Sequence, residues 1–234
     1  HRDFEKILYC IRSRRTFYLY PGRGPSSSSM HIGHSVPFIL CKYLQDVFSA
    51  PFVIQITDDE KFLCKDLPLE EARSNGIENI KDIIAYGFRP ELTYIFSNYE
   101  SSHLFYRNTL KISKLVSLNE AMKVFGFDLN TNIGMVEFPA KQIAASYASS
   151  FCFLPPGTPC LIPCAVDQDP YFRLARDKAY GMGEEKPSTL YVSMLPGLQG
   201  THRKMSASSL KSAIYLSDSP SEVKRKVSRL AFSG

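Results

Sequence analysis

The sequence predicts an α/β fold: a doubly wound parallel sheet that carries a helical insertion. Three observations predict it. Short apolar, β-prone runs recur at residues 17–20, 52–57, 93–96, 160–164 and 190–193. Segments with apolar spacings of three and four residues separate most of them. The first crossing from strand to helix passes through a loop rich in Gly and Ser. Strands that alternate with helices return in the same direction, which makes the sheet parallel and places helices on both faces.

The elements follow in order. Phe17-Tyr18-Leu19-Tyr20 is a first strand, broken by Pro21-Gly22-Arg23-Gly24-Pro25. A serine tract (residues 26–29) leads into a helix whose apolar face carries Val36, Ile39/Leu40, Tyr43/Leu44 and Val47/Phe48. Pro37 is accommodated in or near its first turn, where amide hydrogens lack helical partners. Phe52-Val53-Ile54-Gln55-Ile56-Thr57 is almost continuously apolar, the pattern of a strand covered on both faces. Strand, Gly-rich loop, helix and strand make a βαβ unit. A helix is expected over 69–86, a strand over 93–96, and mainly helical segments over about 103–150, read as the insertion and closed by Pro155-Pro156-Gly157. A strand over 160–164, a helix over 171–180 and a strand over 190–193 complete the sheet. Pro220 opens a last helix, capped by Ser219 or Ser217.

Composition bounds the function classes. At 234 residues, 44% hydrophobic and 22% charged, the chain has the composition of a soluble globular domain with a sizeable core. A balance of 28 Lys+Arg to 23 Asp+Glu gives +5, which permits an anionic partner such as RNA without requiring one. No apolar run approaches the ~20 residues needed to span a bilayer. The six cysteines read as reduced core thiols of a cytosolic protein, and Cys160 and Cys164 have no second pair at zinc-like spacing, so no metal site is expected. The chain opens on His1 rather than Met and is read as part of something longer.

Two segments carry chemistry. The stretch from Gly22 to His34 joins the first strand to the first helix, at the carboxyl edge of the sheet where such folds place ligands. Free amides at that helix start suit phosphate oxygens, Gly33 lets a ligand approach the backbone, and His31 and His34, three apart, project from one face of the first turn. The second segment is Gly197-Leu198-Gln199-Gly200-Thr201-His202-Arg203-Lys204-Met205-Ser206-Ala207-Ser208. A loop cation such as Lys204 there stabilises a departing pyrophosphate more than the ground state.

Together, His31-Ile32-Gly33-His34 and Lys204-Met205-Ser206-Ala207-Ser208 resemble the paired signature of the class I aminoacyl-tRNA synthetases. Ala207 stands where the general pattern has a second lysine. That variant, with Gly22 to Ser27, Thr57 to Lys61, Phe138 to Gln142 and Ala165 to Phe172, resembles the tryptophanyl branch in eukaryotes. The resemblance implies a Rossmann-like catalytic domain that adenylylates L-tryptophan with ATP, with Mg2+ accompanying the nucleotide, and then charges tRNA(Trp). It implies catalytic roles for His31, His34, Lys204 and Ser206. Arg23, Gly24, Gly33, Asp167 and Met205 join those four residues around ATP. Tyr20 and Gln55 would bond the indole N–H, while Glu60, Gln142 and Gln168 hold the amino and carboxylate groups. It further implies a cytoplasmic homodimer, its interface among the helices of 103–150, and an anticodon-binding domain beyond this stretch of chain. The residues alone leave other accounts open: a core aromatic for Tyr20, a solvated turn for Glu60, a solvent-facing helix for Gln142. A tyrosyl enzyme, a nucleotidyltransferase sharing the first motif, and a synthetase-like binding module are the competing functions.

Overall fold

The computed structural model describes residues 1–205 and 212–232, with the backbone alone over 201–204. The expected parallel sheet is present. Strands β1 (Tyr18–Leu19) and β2 (Gly22–Arg23) lie along the same edge of β3 (Phe52–Ile56). Leu19 stands opposite Phe52 and Gly22 opposite Gln55, so both hold one register and form two halves of a single strand. The sequence reading ended that strand at Tyr20. It resumes because the edge of β3 still offers partners: the Gln55 N–H donates to Pro21 O at 3.2 Å and the Thr57 N–H to Arg23 O at 2.9 Å.

The other edge of β3 takes β4 (Thr93–Ser97), while β5 (Cys160–Cys164) pairs with β1 and β6 (Ser188–Tyr191) with β5, all parallel. The strand order therefore reverses direction between β1 and β5. At such a switch point the loops leaving neighbouring carboxyl ends diverge and leave a crevice.

Alternation along the strands divides the core into two layers. Leu19, Phe52, Ile54 and Ile56 face α1 (Phe4–Arg12), α2 (Ile32–Phe48) and α4 (Leu69–Ile84), packing with Ile7, Phe38 and Ile83. Tyr18, Tyr20, Val53 and Phe96 face the opposite way, toward α5 (Asn98–Leu115), α7 (Ile133–Ala144) and α8 (Asp169–Met182), with Phe105, Ile143 and Ala175. Short helix α6 (Leu118–Phe125) lies between α5 and α7, and α9 (Pro220–Leu230) begins at Pro220 with Ser219 as its cap. A hairpin of β7 (Pro196–Gly197) and β8 (Gly200–Lys204) stands apart from the main sheet.

Several expectations need correction. Helix α2 starts at Ile32, so Pro37 lies in its second turn, and the Gly33 carbonyl lacks the amide that would normally bond it. Helix α1 was not foreseen, although Phe4, Ile7 and Ile11 recur at helical spacing. Helix α3 (Asp58–Cys64) stands where a solvated turn was the alternative account of Glu60; its three leading carboxylates complement the positive end of the helix. The helices expected from 103 begin at Asn98, directly after β4, where the Ser97 hydroxyl accepts from the Glu100 amide. The last sheet strand begins two residues early, at Ser188, and is less apolar than expected. Ser188 and Thr189 are fully buried, and the start of the chain pairs with both: Ser188 Oγ donates to Asp3 O at 2.8 Å, and the Thr189 backbone bridges Arg2, while Thr189 Oγ1 has no hydrogen-bond partner among the described residues. Of the cysteines, Cys10, Cys41, Cys160 and Cys164 are buried thiols as expected, but Cys64 and Cys152 are exposed. No described helix is long and apolar enough to cross a membrane.

Candidate active site

The crevice at the switch point is a cleft of about 380 Å³, large enough for a sizeable organic ligand. Its lining includes Arg23, Gly24, His31, Gly33 and His34 from the first crossover and Asp167 and Gln168 after β5. Glu60 reaches it from α3, Gln142 from α7, and Met205 from the end of β8. The structure thus brings together residues up to 184 positions apart in the chain, from Pro21 to Met205.

One end of the cleft is crowded with donors. His31 precedes α2, His34 sits in its first turn, and their rings stack at 3.5 Å. Arg23 Nη1 lies 2.9 Å from His34 Nε2, and the His31 amide points at His34 Nδ1 from 3.2 Å. A neutral imidazole accepts at only one nitrogen, so these contacts cannot both be hydrogen bonds at once. Arg23 Nη2 and His31 Nδ1 are buried with no hydrogen-bond partner among the described residues. Burial, reinforced by Arg23, lowers His31 to about 4 and pulls His34 much further below its ordinary range. Burial likewise brings Arg23 down to about 10, which leaves it charged at neutral pH. The arrangement is one guanidinium, two neutral rings and a helix start with too few acceptors. A phosphate group would supply the missing ones.

A side chain would be crowded at two glycines here. A Cβ on Gly24 would stand 2.3 Å from Lys61 Cε, and one on Gly33 would stand 3.0 Å from the His31 ring. Supporting residues that the sequence reading missed hold the loop from behind. Asn79 of α4 accepts from Arg23 Nε at 2.7 Å and donates to Ser27 O at 2.7 Å, and Asp82 accepts from the Met30 amide at 2.8 Å. Their signal was available: Asn75, Asn79 and Asp82 put polar groups on a helix at spacings of four and three.

The far wall has a different character. Tyr20 and Gln55 are completely buried and lie behind the lining rather than on it. Tyr20 Oη donates to Gln55 Oε1 or to Gln142 O, the latter at 2.8 Å, so its single hydrogen is always committed and its oxygen is an acceptor. Phe172 meets the Tyr20 ring edge-on at 6.0 Å. Gln142 Nε2 donates to Gln168 Oε1 at 2.9 Å, and Glu60 pairs with Lys61 at 2.5 Å. Core packing and a hydrogen-bonded hydroxyl coincide in Tyr20, Glu60 belongs to a helix, and Gln142 is buried.

A strap joins the two motif regions. Tyr215 forms a bridge with His31: the Ile32 amide donates to Ile214 O at 3.0 Å and the Leu216 amide to Met30 O at 2.8 Å. Asp218 caps this turn by accepting from the Tyr215 amide at 2.8 Å, and buried Lys226 of α9 holds Asp218 at 2.6 Å. Met205 packs with Ile32, Ala213 and Tyr215. Lys204 closes β8, but its side chain and the whole of Ser206 lie outside the described residues. Among the described residues, no group of three or more His, Cys, Asp or Glu is arranged to hold a metal.

Known proteins share this architecture. A tryptophan–tRNA ligase of Encephalitozoon cuniculi is 61% identical over the whole chain, which spans 61% of that protein's length. The cytoplasmic tryptophan–tRNA ligase of Mus musculus is 51% identical, again over the whole chain, which spans 50% of it. The crystal structure of the Encephalitozoon cuniculi tryptophanyl-tRNA synthetase bound to tryptophan superposes with a TM-score of 0.93 at 58% identity, covering 99% of this chain and 66% of that one. The chain therefore spans only about half to two thirds of these relatives. Residues 12–232 match the model of the family described as tRNA synthetases class I (W and Y), and the chain belongs to that family.

Proposed function

We propose that this chain is the catalytic domain of an enzyme that activates tryptophan with ATP and passes it to tRNA(Trp). The observation that carries the proposal is the polarity of the cleft: surplus buried donors at the Arg23–His31–His34 end, and an acceptor-only hydroxyl behind carboxamides and a carboxylate at the other. The names of the relatives, at 61% and 51% identity, support tryptophan as the amino acid.

In this reading the phosphates lie against Arg23, His31, His34 and the start of α2, with Gly24 and Gly33 giving close approach and Asp167 and Met205 completing the nucleotide site. Mg2+ arrives on the phosphates as part of the substrate. The indole enters between Gln142, Phe172 and neighbouring side chains, which part to bring its N–H to Tyr20 Oη and Gln55 Oε1. Glu60 exchanges Lys61 for the ammonium group, and Gln142 and Gln168 exchange each other for the amino acid. A carboxylate oxygen of tryptophan then attacks the α-phosphorus, and the bond to the bridging oxygen of the β-phosphate breaks. Arg23, the neutral histidines, Lys204 and Ser206 stabilise the charge growing on pyrophosphate. In the second step a terminal ribose hydroxyl of tRNA attacks the carbonyl carbon and AMP leaves.

The reading extends to a cytoplasmic homodimer, in line with the cytoplasmic relative. An apolar groove of about 210 Å³, lined mainly by Val116, Leu118, Ile133 and Val136, supports an interface among the helices of 103–150. The deciding experiment is exchange of pyrophosphate into ATP with tryptophan, with tyrosine and with neither. Exchange with tryptophan alone is expected, and His34→Ala and Lys204→Ala each lower it by about a hundredfold or more. Exchange with tyrosine instead overturns the pocket assignment, and undiminished exchange in both variants overturns the mechanism.

A further inference from the structure

The polar side chains behind the far wall are wired in one direction. Tyr20 Oη donates to Gln55 Oε1, Gln55 Nε2 to Asn98 Oδ1 at 2.7 Å, and Asn98 Nδ2 to Asp59 Oδ1 at 2.9 Å. The chain ends at the other Asp59 oxygen, which faces Lys141 Nζ at 3.4 Å. Tyr20, Gln55 and Asn98 are almost wholly inaccessible to solvent, so no water competes for these groups. Asp59 and Glu60 are consecutive on α3, yet Glu60 lines the cleft and Asp59 turns inward to the chain.

The direction has a cause. An amide is nearly symmetric in shape and can present either its oxygen or its NH2 group, whereas a carboxylate has only lone pairs to offer. Facing Asp59, Asn98 must present its NH2 group, and its oxygen is left for Gln55. Gln55 must then turn its NH2 group to Asn98, with Lys141 O a second acceptor at 3.5 Å, and its oxygen to Tyr20. A reversed Gln55 amide would aim N–H groups at the Tyr20 oxygen and compete with any donor brought by a ligand.

We propose that Asp59, acting through Asn98, is a positioning residue that fixes the Gln55 amide and so makes the aromatic end of the pocket select a ring bearing an N–H. The inference rests on the tryptophan reading above. Neither residue reaches the reacting atoms. Their contribution is to specificity: the floor of the pocket accepts a hydrogen bond and does not donate one.

The test compares tryptophan with its benzothiophene analogue, in which sulfur replaces the ring N–H, in pyrophosphate exchange by the full chain. In Asp59→Asn the side chain keeps its shape but gains donors, and both amides are free to turn over. In Asn98→Leu the relay is cut. Each variant is expected to raise KM for tryptophan and to reduce the preference for tryptophan over the analogue by roughly tenfold, with KM for ATP unchanged. The Asp59→Asn/Asn98→Asp double variant exchanges the two groups, puts the acceptor-only end directly against Gln55 Nε2, and is expected to restore much of the preference. A merely structural role lowers activity toward both amino acids equally, and that result overturns the inference, as does a double variant that recovers nothing. A wild-type chain that fails to activate tryptophan overturns the underlying reading instead, so the two failures are distinguishable.

Discussion

The strap that links α9 to the first motif makes a prediction independent of any assay of activity. Lys226→Met keeps the length of the stem and removes the ammonium group, which holds Asp218 at 2.6 Å and donates to Ala213 O at 3.1 Å. The two side chains are only 7% and 10% exposed, so Asp218 is left as a buried carboxylate without its cation. Removing one partner of a buried pair costs about 3–5 kcal/mol. Asp218 keeps the Tyr215 amide as a donor, which points to the lower end, about 3 kcal/mol. For a chain of this size that corresponds to a fall in Tm of roughly 6–12 °C. The assay is urea unfolding of wild type, Lys226→Met, Asp218→Asn and the double variant. The cycle is expected to return a coupling of about 2 kcal/mol, because the double variant buries no unpaired charge. Hydrogen exchange at the Ile32 and Leu216 amides locates the loss, since both belong to the strap. A single variant within about 0.5 kcal/mol of wild type, where ordinary surface changes fall, refutes the reasoning.

Three further outcomes are expected. On the proposed reading, Tyr20→Phe removes the acceptor presented to the indole, so KM for tryptophan rises roughly tenfold to a hundredfold while KM for ATP stays the same; a variant that binds both substrates normally removes Tyr20 from the site. Gly33→Ala pushes a methyl group to 3.0 Å from a His31 ring already stacked on His34, and steady-state exchange slows by about tenfold with little change in stability; wild-type kinetics would mean that the ring position does not matter. Stability also depends on pH, because His31 titrates near 4 when folded against 6.5 when free. The stabilisation from its neutral ring is complete above about 6.5 and is lost as the pH falls toward 4, and His34 acts in the same direction. Urea midpoints across that range should fall with acid in wild type and flatten in His31→Gln/His34→Gln; parallel curves contradict the burial argument.

Much of this molecule was legible because its cues are local. The continuous apolar run of β3 and the Gly- and Ser-rich loop before α2 mark a parallel sheet and a phosphate-sized turn without reference to any other part of the chain. Ser188 and Thr189 were not legible as strand, because their burial depends on hydrogen bonds to Asp3 and Arg2 at the far end of the sequence. The acidic start of α3 is left open by the sequence between a solvated turn and a binding residue, since the same three carboxylates suit either a turn or the positive end of a helix. His31, Gly33 and His34 could be picked out from their spacing. Asn79 and Asp82 show only as polar groups at helical spacing, and Asn98 and Asp59 not at all, because the partners that place them lie 39 to 82 residues away, and a buried Asn or Asp looks like any surface polar residue until its neighbours are known.

The unpartnered atoms of Arg23 and His31 have a consequence for anyone who tries to make this protein hardier. Each buried polar atom without a partner burdens the empty fold by about 1–3 kcal/mol. An apolar replacement at His31 is therefore among the simplest routes to a higher melting temperature, whereas one at Arg23 leaves the fully buried Asn79 Oδ1 without its donor, and a library screened by heat without nucleotide will be enriched at His31. On the proposed reading, those survivors will be the members least able to hold a phosphate. Selection for robustness and selection for chemistry oppose each other at this spot, and screening in the presence of ATP is the way to keep both.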